Sequence, residues 1–152
     1  RWAAADALAG LGEPSVTPKL VVLLAHPDED VRDAATRAIE KLGNPAAAAQ
    51  IVPLLAHADE GVRKSAAFVL QGFHEKSVAP EVVKLLDHED RGVRAWAAFV
   101  MYGLVDDDRV KDIEGIHTWW EAHRADQAYS KSASREAPRL GETRPPPSSR
   151  SR

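Results

Sequence analysis

Three stretches of the chain read alike: HPDEDVR at residues 26–32, HADEGVR at 57–63 and HEDRGVR at 88–94. The step between them is 31 residues both times, and the repetition spreads outward from them. Arg1, Arg32, Arg63 and Arg94 form one column, and Ala4, Ala35, Ala66 and Ala97 the next. Leu8, Ile39, Leu70 and Met101 follow, then Leu11, Leu42, Phe73 and Leu104. Val16, Ala47 and Val78 precede Leu20, Ile51, Val82 and Ile113, and Leu23, Leu54, Leu85 and Ile116 close the unit. Self-similarity at a fixed period marks a repeat architecture.

Within a unit the apolar spacing is helical. Val31, Ala35, Ala38, Ile39 and Leu42 make one stripe of a 3.6-residue helix. The stretch Ala47-Ala48-Ile51-Val52-Leu54-Leu55 predicts a second, shorter helix. Gly43-Asn44-Pro45 and the His-x-Asp turns separate the two. Asp28, Asp59 and Asp90 stand where an N-cap belongs, and Pro14 and Pro45 suit a helix's first turn. One hairpin cannot bury both of its stripes, whereas a stack of hairpins can. The expected fold is therefore all-α, an α-solenoid of helical hairpins on a 31-residue repeat.

Composition limits the function classes. The chain has 152 residues, 44% hydrophobic and 28% charged, with no cysteine. Disulfides, thiolate zinc sites and cysteine nucleophiles are thereby excluded. No apolar run approaches the ~20 residues of a membrane span. Arg1-Trp2 leads straight into an alanine-rich helical pattern, with no signal peptide and no starting methionine, so a cytoplasmic location is the default expectation. Residues 130–152 carry a net +4, leaving −7 on residues 1–129, and an acidic body argues against a nucleic-acid groove.

The pattern L-L-x-H-x-D-x-x-V-R-x-x-A-A, as in Leu54-Leu55-Ala56-His57 through Arg63 to Ala66-Ala67, resembles the short bacterial HEAT repeat of the "PBS lyase HEAT-like" family. The resemblance covers residues 1 to about 117 and implies a right-handed α-solenoid. Its relatives include scaffolds, chaperone-like factors, phycobilin lyases and the di-iron deoxyhypusine hydroxylase. The family commonly carries Asp where this chain has His26, His57 and His88, and that Asp helps form an inter-repeat Asp–Arg ladder. Here such a ladder would have to use Asp28, Asp59 and Asp90 with Arg32, Arg63 and Arg94.

A column of histidines invites a metal or proton-transfer reading. Residues of one column lie roughly 8–10 Å apart on successive packed helices, while zinc holds its nitrogens at about 2.0–2.1 Å. The histidines are instead expected to end the short helices and bond their last carbonyls. The hydroxylase's ligands are His-Glu pairs directly after the repeat arginine, where this chain has Asp33-Ala34, Lys64-Ser65 and Ala95-Trp96. Its only His-Glu pairs, His74-Glu75 and His88-Glu89, fall in turns. The arginines are expected to form structural ion pairs between repeats, since no glycine-rich phosphate cradle accompanies them. No nucleophile–base pair is apparent, and no cofactor is implied.

By resemblance, the longer helix of each unit lines the concave face. Its outward columns read Trp2/Asp6/Ala9, Asp33/Arg37/Glu40, Lys64/Phe68/Gln71 and Ala95/Phe99/Tyr102. Phe68, Phe99 and Tyr102, with Arg37, Lys64 and Gln71 beside them, are the expected contact residues for a protein or peptide partner. Trp96 is expected on the helix flank, toward the next unit. Residues 107–129 are expected as a capping helix in which one of Trp119 and Trp120 covers the last hairpin. Because the pattern is already running at Arg1, further repeats upstream are expected. The solenoid is thus assigned to 1–129, and the Pro/Ser/Arg-rich segment 130–152, with Pro145-Pro146-Pro147, is expected to be disordered. The function so read is a non-catalytic scaffold, with a bilin lyase or its chaperone as alternative and the hydroxylase third.

Overall fold

The computed structural model describes residues 16–105 and 107–125. The expected segment 130–152, the start of the chain at 1–15 and the end of the expected cap at 126–129 lie outside these residues. The described residues hold seven α-helices and no strand. They are α1 (Thr17–Leu23), α2 (Glu29–Leu42), α3 (Ala48–Ile51), α4 (Glu60–Phe73), α5 (Ala79–Lys84), α6 (Arg91–Leu104) and α7 (Ile113–His123). The long helices α2, α4 and α6 form one row, with α4 packed between the other two. The short helices form a second row, each packed on the long helix that follows it, and α7 closes the array against α6.

The alanine column is the reason the helices approach so closely. Ala35, Ala66 and Ala97 are all fully buried, and Ile39, Leu70 and Met101 fill the space above them. The short helices are less regular than their spacing predicts. Pro45–Ala47 and Val52–Ala56 are 3₁₀ turns on either side of α3, and Lys76–Val78 and Leu85–Asp87 flank α5 in the same way. Pro53 has no N–H to donate, so the α ladder cannot run through it. The closing column follows the i, i+4 spacing of a helix face from Leu20, Ile51 and Val82. Leu24, Leu55 and Leu86 are buried to 0–1% exposure, while Leu23, Leu54 and Leu85, the expected core positions, are only half-buried.

Each HxD turn is a compact hydrogen-bonded knot. The N–H groups of His26, His57 and His88 bond back to Leu23, Leu54 and Leu85 carbonyls. Their rings face forward, not back as expected. Nδ1 of each accepts the N–H of the aspartate two residues on, Asp28, Asp59 and Asp90, at 3.0 Å in all three turns. A nitrogen that accepts cannot carry the proton, so the ring is the Nε2–H tautomer. An aspartate carboxylate at the same position can take the same N–H in an Asx turn, which gives histidine and aspartate a shared job there. The next aspartate then caps the long helix: Asp28 accepts from Asp30 N–H, Asp59 from Val62, and Asp90 from Gly92 and Val93. Those two backbone bonds, with a smaller pull from Arg63, hold the Asp90 carboxyl below its ordinary range.

The arginine column does not form the expected ion pairs. Among the described residues, none joins Arg32, Arg63 or Arg94 to an aspartate. Each Nη1 instead reaches back into its own turn and donates to two carbonyls. Arg32 bonds His26 and Pro27 at 2.8 and 2.9 Å, Arg63 bonds His57 and Ala58 at 2.8 and 3.0 Å, and Arg94 bonds His88 and Glu89 at 2.7 and 2.8 Å. Coupling to the next repeat is chiefly steric, with a small electrostatic pull of Arg63 on Asp90. A Cβ on Gly61 would sit 2.5 Å from Arg32 Nη2, and one on Gly92 would sit 2.9 Å from Arg63 Nη2. Arg32 and Arg63 are consequently 7% and 8% exposed, and their Nε atoms are buried without a partner among the described residues.

At the other end of the long helices, Gly43 closes α2 in the left-handed conformation with φ 58°. The equivalent residue after α4 is His74, with φ 47°. A side chain there is strained by roughly 1–2 kcal/mol. Its Nδ1 meets the Gly103 carbonyl of α6 at 3.1 Å, a bond between repeats that offsets the strain.

Three outcomes follow for equilibrium unfolding. His57→Asn, which keeps an acceptor for Asp59 N–H, stays near wild type, whereas His57→Leu loses about 1 kcal/mol. Gly61→Ala destabilises by about 1–2 kcal/mol in the wild-type background and by much less beside Arg32→Met, because the clash and the wedge are one interaction. Leu55→Ala costs about 3 kcal/mol and Leu54→Ala markedly less, opposite to the order that the sequence columns give.

Candidate functional site

The face of the long-helix row away from the short helices carries a groove between α2 and α4. It has a volume of about 310 Å³. Glu29, Asp33 and Glu40 give its α2 wall an acidic edge beside Arg37, and Lys64, Ser65 and Phe68 form the α4 wall. Arg32 underlies it, its guanidinium already committed to the turn carbonyls. Ser65 is likewise turned inward, its hydroxyl donating to the Gly61 carbonyl of its own helix.

Phe68 continues this groove into an aromatic cluster. Its ring lies 5.4 Å from Phe99 edge-on and 6.2 Å from Trp96, and Trp96 lies 5.7 Å from Phe99 edge-on. Such tilted contacts add about 0.5–1.5 kcal/mol per pair beyond area burial. The cluster is still open to solvent: Phe68 is 44% exposed and Tyr102 39%, two of the three large hydrophobic side chains so exposed among the described residues. Burial, and then the Asp112 carboxylate, push the Tyr102 hydroxyl above its ordinary range.

Of the expected contact residues, Arg37, Lys64 and Phe68 line the groove, and Phe99 lies in the aromatic cluster. Tyr102 stands one turn after Phe99 on α6. Gln71 takes a different place, lying over α6 where a Cβ on Gly103 would be 2.8 Å from its Cγ, so it belongs to the seam between repeats. Trp96 corrects the sequence expectation. It turns back to Phe68 of the preceding unit, not toward the next one. The i, i+3 spacing of Trp96 and Phe99 was the signal for this, because residues three apart share a helix face.

The cap begins later than expected. Asp112 caps α7 through Gly115 N–H at 2.7 Å, and residues 107–110 form a turn instead of helix. In that turn Arg109 grips Asp107 with two side-chain bonds of 2.9 Å, which holds the Asp107 carboxyl at about 2. Trp120 is buried at 8% exposure, while Trp119 stacks on His123 with centroids 4.3 Å apart. His117 reaches Asp87 at 3.3 Å, fastening the cap to the last hairpin.

Among the described residues no three His, Asp or Glu side chains converge as a bound metal requires, and no helix is long and apolar enough to cross a membrane. No curated protein matches the chain. A family model described as HEAT repeats matches residues 1–71 and again 48–113. The two matches overlap across the hairpin that contains the central HxD turn, and together they take in every long helix of the row. The chain belongs to the HEAT repeat family.

Proposed function

We propose that the chain is a non-catalytic scaffold or adaptor that binds a protein or peptide partner on the face formed by α2, α4 and α6. On this reading the hairpins coil into a right-handed solenoid with a 31-residue period. Residues 1–129 form one repeat body, and this face is its concave surface. The supporting observation is the pairing of exposed rings with a groove. Phe68 and Tyr102 stay open on a row of helices whose core needs neither of them, and Phe68 is shared with the charged groove beside it. Exposed aromatics rimmed by charge are the usual anchors of an interface. Binding would rest on shape and apolar contact, with Arg37 and Lys64 setting selectivity.

The test is the double substitution Phe68→Ala with Tyr102→Ala, read in a pull-down followed by titration of the captured protein. The variant should keep wild-type helicity, because both rings are solvent-facing. It should lose about 2 kcal/mol of binding, roughly 30-fold in affinity. Unchanged affinity in a folded variant would remove this face as the site.

A further inference from the structure

We infer that the groove between α2 and α4 takes one tryptophan side chain of a partner peptide, in the place that Trp96 fills one repeat later. The inference rests on the binding face proposed above and names the partner's anchor.

The two seams of the long-helix row correspond position by position through the 31-residue step. Between α4 and α6 the seam holds Phe68 from one helix and Trp96 and Phe99 from the other, with ring centroids 6.2, 5.4 and 5.7 Å apart. The corresponding residues between α2 and α4 are Arg37, Ser65 and Phe68. Gly61 matches Gly92, and each faces the wedge of the preceding arginine, so the base of the two seams is alike. What differs is the filling: Ser65 stands in the column of Trp96, and Arg37 in the column of Phe68. Arg37, Ser65 and Phe68 all line the groove, which therefore opens where an indole on residue 65 would lie. Its volume of about 310 Å³ is at the small end of ligand cavities. The ring contacts of Phe68 among the described residues are with α6, yet the same side chain lines this groove and is 44% exposed.

The floor favours a ring over a small anion. Arg32 Nη1 donates to the His26 and Pro27 carbonyls, the Ser65 hydroxyl to the Gly61 carbonyl and the Thr36 hydroxyl to the Arg32 carbonyl. Nε of Arg32 has no partner among the described residues, but it is buried beneath the groove and out of a ligand's reach. The walls add three carboxylates, on Glu29, Asp33 and Glu40, against the two cations Arg37 and Lys64. A flat aromatic ring suits this mixture. Its edge or face can meet Phe68 as Trp96 does on the far side. A cation at the rim can lie over it, and tryptophan is the best of the aromatic partners for that contact. An indole N–H needs an acceptor once buried, and Asp33 and Glu40 stand one turn to either side of Arg37 on α2. Phenylalanine can make the first two contacts and leucine neither.

The experiment titrates the full chain with the blocked peptide acetyl-Gly-Gly-Trp-Gly-Gly-amide and its Phe and Leu counterparts, following backbone amide resonances. The tryptophan peptide should move Thr36, Ser65 and Phe68 and saturate at roughly millimolar concentration. The phenylalanine peptide should bind about fivefold more weakly and the leucine peptide more than about tenfold. Asp33→Ala with Glu40→Ala, two exposed positions, should bring the tryptophan peptide close to the phenylalanine peptide. Ser65→Trp should supply the indole from within and abolish binding of the tryptophan peptide. The inference is overturned if the leucine peptide binds as well as the tryptophan peptide, if the shifts fall on other residues, or if a folded Ser65→Trp variant still binds. It is also overturned if the Asp33/Glu40 pair leaves the gap between tryptophan and phenylalanine unchanged, and this arm decides the matter should Ser65→Trp not fold. In each case the Phe68/Tyr102 titration still decides separately whether the face binds a partner.

Discussion

A guanidinium that holds two carbonyls of its own turn, and at the same time fills the space left by a missing Cβ in the next repeat, sets the geometry of this array. The two halves of the side chain do different work. Nη1 fixes the path of the chain as it leaves a short helix and enters a long one. Nη2 fixes how near the following long helix can come, because it occupies the place of a side chain at Gly61 or Gly92. A buried charge is costly unless its donors are met; carbonyl oxygens meet Nη1, while Nε of Arg32 and Arg63 is left without a partner among the described residues. The histidine completes the arrangement. Its own C=O receives the arginine, its N–H closes the turn behind it, and its ring takes the N–H of the residue that caps the next helix.

The open aromatic face is a by-product of that packing. The alanine column draws the long helices together, so larger residues one position round the helix are pushed outward onto a common surface. Phe68, Trp96 and Phe99 come from two helices and meet there because the close approach leaves them nowhere deeper to go. The result is a partly exposed apolar surface with charged groups at its edge.

The period, the helical hairpins and the capping aspartates were legible in the sequence because each depends on spacing or on a single residue's local chemistry. The N-caps at Asp28, Asp59 and Asp90 need only the residues that follow them. What was not legible depended on direction. The sequence columns put Leu54 in the core, but the neighbouring Leu55, four residues after Ile51 on the same helix face, is the one that is buried. Periodicity also cannot say whether an arginine pairs with a carboxylate or with carbonyl oxygens, and the capping aspartates nearby favoured the carboxylates. Trp96 was misplaced for a similar reason: a large ring on a helix flank can lean either way, and Phe68 supplies the surface that draws it back. Gln71 looked like a face residue until the missing Cβ of Gly103 gave it a seam to fill.

The wedge between repeats points one way along the chain. Arg32 leans on the hairpin after it and Arg63 on the next, but Arg94 has only the differently built cap ahead of it and is correspondingly less buried than the other two. The array therefore has a polarity that its near-identical units conceal. Opening the cap leaves every earlier wedge intact, whereas melting a middle hairpin uncovers a guanidinium on the side before it. In a nearest-neighbour description of such stacks, each wedge belongs to the interface between two hairpins and is lost when either of them melts, whereas the junction with the cap contains none.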